Sequence, residues 1–265
     1  MIVRTEGDRL VIVRQADHAN LSGLLAAAWG RDPWVAAQPF PDVVLGARLH
    51  DVAWEPFDTA PEFEGGRPLG FGEVDRVTTS TLYTAGAEAV AALNPYAGLM
   101  VSLHYSGFFH SHWGWAPFST PDRFPERQAA ALRRFLAGEA RRQRELRSGF
   151  DHGARGERRL EVNYKWLQVW DRISLDLCRQ SAVEPWVIEY PAVPVGYDGD
   201  REVALKFAMV APGRYTLNPY PLALDPFPVR VPTVTIDAGL ATRDQFLTAW
   251  RTAPQQLLEV QFSAA

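Results

Sequence analysis

A chain of 265 residues, 47% hydrophobic and 12% aromatic, can bury a sizeable core in one large domain, or in one with a smaller unit attached. A net charge of -4 argues against a general binder of nucleic acid or membrane surfaces. No apolar run approaches the length of a bilayer span, the charged start Met1-Ile-Val-Arg-Thr-Glu does not read as an export signal, and the lone Cys178 cannot form an internal disulfide, so a cytoplasmic protein is expected.

In chain order, 2–5 and 10–14 flank Glu6-Gly7-Asp8 and read as a short hairpin. A helix follows over 15–29, with His18, Leu21, Leu25 and Ala28 on one face, so that His18 points inward. Asp42 is placed to cap a second helix running into His50-Asp51, where Val43, Ala47, His50 and Trp54 form one stripe. Residues 55–72, rich in Pro, Gly and acidic residues, form a loop where a lid or site wall belongs. A third helix covers 73–93. Asn94-Pro95 then supplies the cap and first residue of a fourth, 96–109, which carries His104 on its buried stripe. Two long helices, 125–148 and 157–180, come next, and in the second Asp171 stands where a Leu is expected. From 186 the apolar period changes to two. Strands are predicted over 186–195, 202–210, 214–217, 229–236 and 257–262, with a short helix over 242–250.

The polar residues on apolar stripes are the informative ones. A carboxylate there is costly unless it is paired or metal-bound, which singles out Asp171. His18, His50-Asp51, His104 and Asp171 come from four helices, and helical assemblies commonly build metal sites from facing side chains in this way. Imidazole and carboxylate together suit one or two divalent ions, with Fe, Mn, Mg, Ni and Zn all compatible. His110 and His112 are weaker candidates beside Trp113 and Trp115. The basic stretch 123–159 is interleaved with Glu126, Glu139, Glu145 and Glu157 and reads as a solvated face, although Arg133 is a candidate cation for a substrate pocket. Trp54 and Trp113 are candidate pocket walls. Cys178 falls on a core stripe and reads as packing.

The order His18, His50-Asp51, Asp171 resembles the HD-domain superfamily of metal-dependent phosphohydrolases, with Gln15-Ala-Asp-His18, Leu49-His-Asp-Val and Trp170-Asp-Arg-Ile-Ser as the local matches over 15–180. The whole chain also resembles the bacterial family called domain of unknown function 3891, through the segment Arg214-Tyr-Thr-Leu-Asn-Pro-Tyr-Pro among others. The first resemblance implies a mainly α fold: a hairpin and HD-like helical bundle over 1–182, with a β-rich part containing a small antiparallel sheet packed on it over 183–265, a part that the N-terminal hairpin is free to join. It implies that His18, His50, Asp51 and Asp171 ligate a metal, that Asp51 serves catalysis, and that His104 is a second-metal ligand or an acid/base. Ala53-Trp54 departs from the pattern, because HD hydrolases often carry Gly-Lys there to hold phosphate. The implied function is hydrolysis of a phosphate ester or nucleotide-like small molecule. A non-catalytic ligand- or partner-binding module and a di-iron oxygenase are the rival readings.

Overall fold

The structure, a computed structural model, describes residues 1–110, 119–150, 153–199 and 201–265. Ile2–Glu6 (β1) and Arg9–Val13 (β2) form the expected hairpin, with Gly7 at its tip at φ +59°. Gln15–Ala28 (α1) follows, and then Phe40–Leu49 (α2), which begins two residues before the predicted start. Pro39 is the residue at its N-cap, and Asp42 instead accepts from Asn94 Nδ2 at 2.8 Å, which ties α2 to the next-but-one long helix. The expected loop holds a short helix, Glu55–Thr59 (α3), and a two-residue hairpin, Phe63–Glu64 (β3) with Arg67–Pro68 (β4).

Arg76–Leu93 (α4) is capped by Asp75, whose side chain accepts from the backbone of Val77 and Thr78. Pro95–Gly107 (α5) starts as its sequence requires, with Asn94 accepting from the Ala97 amide and Pro95 in the first turn. Glu126–Arg147 (α6) and Ala154–Arg179 (α7) are the long helices. The remaining elements are Trp186–Pro194 (β5), Glu202–Ala211 (β6), Arg214–Asn218 (β7), Phe227–Asp237 (β8), Arg243–Thr252 (α8) and Gln255–Ala264 (β9).

The expectation of a mainly α chain with a small antiparallel sheet is overturned. Of the described residues, 50% are helical and 24% are in strands, and the main sheet they form has seven strands in the order β1-β2-β8-β9-β7-β6-β5. Two long-range pairings enlarge it: β2 joins β8, so the N-terminal hairpin extends the sheet, and β9 inserts between β8 and β7, parallel to the latter. Neither pairing is encoded by local period, which specifies which face of a strand is buried but not its neighbour. Both outer strands, β1 and β5, rest against α7, so the sheet curls around that helix. Trp166, Trp170 and Ile173 of α7 share a core with Phe207, Tyr215 and Phe262 of the sheet. A second core, around Trp54, Tyr83, Tyr105 and Phe135, lies among the helices, and a third places Phe246 and Trp250 of α8 on Ile12 and Ile236. Among the described residues, no helix is long and apolar enough to cross a membrane.

Candidate metal centre

Helical phase brings the polar stripe residues inward. His18 lies among Leu21, Ser22 and Leu25 on the buried face of α1, and Asp171 among Trp170, Ser174 and Leu175 on that of α7. His50 is the C-terminal cap of α2 and Asp51 follows it, so both stand at a helix end whose partial negative charge favours a cation. His104 projects from α5. All five are at least 94% buried.

Their side chains meet. His18 Nε2 lies 2.8 Å from Asp51 Oδ2 and 3.9 Å from Asp171 Oδ1. His50 Nε2 lies 3.2 Å from Asp171 Oδ1 and 3.7 Å from Asp51 Oδ2. His104 Nε2 is 3.9 Å from Asp171 Oδ2, on the far side of that carboxylate. Two overlapping groups, His18/His50/Asp51 and His50/His104/Asp171, have ligand atoms mutually within 4.8 Å, a spacing that a single ion can bridge.

The groups behind the imidazoles fix what faces the centre. His50 Nδ1 lies 2.8 Å from the Ala47 carbonyl, which only accepts, so this nitrogen carries the proton. Ser174 Oγ donates to the Asp171 carbonyl at 2.9 Å and is left to accept from His18 Nδ1 at 2.9 Å, with Ser22 at 2.8 Å completing the chain. With its Nδ1 engaged in this way, each Nε2 faces carboxylate oxygens. That arrangement is repulsive unless a cation is shared between them, and it is the arrangement of metal-ligating histidines held by partners at the other nitrogen. Gln15 Nε2 donates to Asp51 Oδ2 at 3.1 Å and orients it.

The same demand for a cation governs protonation. Burial pushes the His50 imidazole down, but Asp51 and the Asp171 hydrogen bond outweigh it and raise His50 to about 9. Burial likewise penalises both carboxylates, yet His50 and His18 hold Asp51, and chiefly His50 holds Asp171, below the usual carboxylate range. Burial dominates at His104 and lowers it to about 4, leaving it neutral.

The cluster opens into a cavity of about 370 Å³ whose lining includes His18, Asp51 and Asp171. Phe71, Tyr83 and Phe108 form aromatic walls, and Arg76, Arg172 and Arg179 also line it. The segment 70–72, inside the predicted loop, is part of the wall.

The five predicted ligands are thus brought together, and the predicted pocket residues are not. Trp54 is in the core, its ring within 6.1 Å of those of Phe57, Phe71 and Tyr83, one layer behind the cavity wall. Arg133 lies at the surface in ion pairs with Asp122 and Glu126. His110 is exposed and belongs to neither ligand group, while His112, Trp113 and Trp115 lie outside the described residues. Cys178 is buried, and burial pushes its thiol up to about 12, consistent with inert packing. Sequence reasoning missed Tyr83 and all three cavity arginines.

A family model described as Protein of unknown function (DUF3891) matches residues 1–238, a span that contains every residue of the cluster and the cavity. No curated protein and no solved structure matches the chain.

Proposed function

The chain belongs to this family, whose description carries no activity, and we propose from the site itself that it is a metal-dependent hydrolase of a phosphate ester or nucleotide-like small molecule. The single observation carrying the proposal is that His18, His50, Asp51 and Asp171 converge, buried, with imidazole Nε2 atoms and carboxylate oxygens aimed at one another. The ordered set His18, His50-Asp51, Asp171 also resembles that of HD-type phosphohydrolases, which supports the choice of phosphate chemistry.

The donor set is rich in imidazole, which favours Fe, Mn, Ni or Zn over Mg. Held by His18, His50, Asp51 and Asp171, such an ion would lower the pKa of a coordinated water and stabilise charge on a phosphoryl oxygen. The chain's own residues supply the rest. Gln15 and Ser174 hold Asp51 and His18 in their working orientations, and the Ala47 carbonyl does the same for His50. His104, neutral through burial, offers a further nitrogen on the far side of Asp171. Phe71 and Tyr83 give the cavity apolar walls.

Protein purified without chelator is expected to carry a transition metal at near one equivalent, and Asp51→Ala to carry far less. Phosphate-ester hydrolysis should vanish with chelator and return on adding metal. Equal, negligible metal in both proteins would overturn the proposal and leave a non-catalytic binding module. A second reading, a two-iron oxygenase, is favoured by Asp171, whose Oδ1 faces His50 and whose Oδ2 faces His104, so that one carboxylate could serve two ions. Two irons per chain with no hydrolysis would select it.

A further inference from the structure

The cavity holds a concentration of positive charge that the metal cluster does not require. Arg172 is held from behind: its Nε donates to Asp176 Oδ2 at 2.8 Å, and that oxygen also accepts from the Tyr190 hydroxyl at 3.0 Å. Arg76, in the first turn of α4, contacts neutral groups, donating to the Gly72 carbonyl at 2.8 Å and standing over the Phe124 ring. Arg179 occupies the last turn of α7, where a basic residue often serves a helix terminus. That task is already filled here, because Arg4 Nη1 donates to the carbonyls of Cys178 and Gln180. Glu73, a carboxylate that also lines the cavity, is engaged by Arg67 and by the Gly70 amide.

Arg76 and Arg172 are half-buried and Arg179 is exposed, and all three line one aromatic-walled cavity. Guanidinium forks match the oxygen geometry of phosphate, which they can bind in bidentate fashion. We infer that Arg76, Arg172 and Arg179 form an anion subsite that holds a phosphoryl group of the ligand, in the cavity that His18, Asp51 and Asp171 also line. The inference deepens the hydrolase reading and rests on it for the identity of the ligand. The subsite itself is built from side chains that need no metal, so it is testable alone.

The experiment is calorimetric titration of inorganic phosphate into the full chain after metal removal by chelation and dialysis. Wild-type protein should bind phosphate saturably. Arg76→Gln and Arg179→Gln, each with an unaltered circular-dichroism spectrum, should bind it roughly tenfold or more weakly, the loss expected for one charge-assisted contact. Arg133→Gln, at the exposed ion pairs with Asp122 and Glu126, should bind as wild type does. Phosphate affinity unchanged in both cavity variants, or reduced equally in Arg133→Gln, overturns the subsite, as does the absence of saturable binding to the wild type. The hydrolase reading fails separately, if the metal-loaded protein binds phosphate through these arginines yet leaves phosphate esters intact.

Discussion

At the scale of single residues, the centre depends on where each imidazole keeps its proton. His18 is the more fragile case, because its Nδ1 partner is a hydroxyl that must itself be committed elsewhere. Ser174→Ala removes that acceptor and frees the ring to turn or change tautomer. Metal affinity should fall by about 10- to 100-fold, the usual cost of losing a partner behind a ligating histidine. The melting temperature of metal-free protein should drop only by what a neutral buried hydrogen bond contributes, about 1 kcal/mol. Metal titration with a competing chelator reads the first quantity, and unchanged affinity would show that Ser174 serves packing alone. Glu73 gives a pH-dependent counterpart at the cavity rim. Its hydrogen bond from Arg67 outweighs burial and lowers its carboxyl from 4.5 to about 2. A group depressed on folding contributes stability above its unfolded pKa and loses it as pH falls through the folded value. Because the pair is substantially exposed, Glu73→Gln should cost under about 1 kcal/mol at neutral pH. The gap from wild type should close as pH falls from 4.5 towards 2 in denaturant melts. A gap that widens on acidification would contradict the assignment.

Among elements, α7 explains both what the sequence reveals and what it hides. Asp171 stands out because it breaks an apolar stripe, and a buried carboxylate demands a partner. Arg172 and Arg179 on the same helix give no such contrast, since an arginine beside an apolar stripe is the ordinary pattern of a solvated edge. Trp54 shows a different limit. Its stripe of Val43, Ala47 and His50 predicts burial correctly, but whether it meets core or cavity is decided by Tyr83 on α4, far away in sequence. The α4–α5 contact also makes a prediction from two glycines. A Cβ on Gly98 would fall 2.3 Å from Ala91 Cα, so Gly98→Ala must push the helices apart. Overpacking of this kind costs about 1–3 kcal/mol, or roughly 2–4 °C per kcal/mol in melting temperature for a chain of this size. Gly138, within α6, has nothing within 4 Å of its added Cβ, so Gly138→Ala should stabilise by up to about 1 kcal/mol through helix propensity. Shifts of the same sign in both variants would mean that close approach at Gly98 is not what sets α4 against α5.

For the whole molecule, the sheet does more than cover a hydrophobic face. The sequence makes each strand legible through its period, but not the curl that brings both outer strands onto α7, because that arises from the long-range pairings β2–β8 and β7–β9. The curl has a chemical consequence. Tyr190, on the outer strand β5, donates its hydroxyl to Asp176, and Asp176 fixes Arg172 in the cavity wall. The sheet edge is thereby coupled to the proposed phosphate subsite through two hydrogen bonds, whereas the metal ligands are held from α1, α2 and α7 by partners of their own. Tyr190→Phe separates these two supports. Loss of a buried hydrogen bond to a charged acceptor should destabilise the protein by about 1.5–3 kcal/mol in urea melts. Phosphate affinity should fall with it, because Asp176 is then free to shift and take Arg172 with it. Metal content of protein purified without chelator should match wild type. If phosphate binds Tyr190→Phe as tightly as it binds wild type, the β-sheet is scaffold only and Arg172 owes its position to α7 alone.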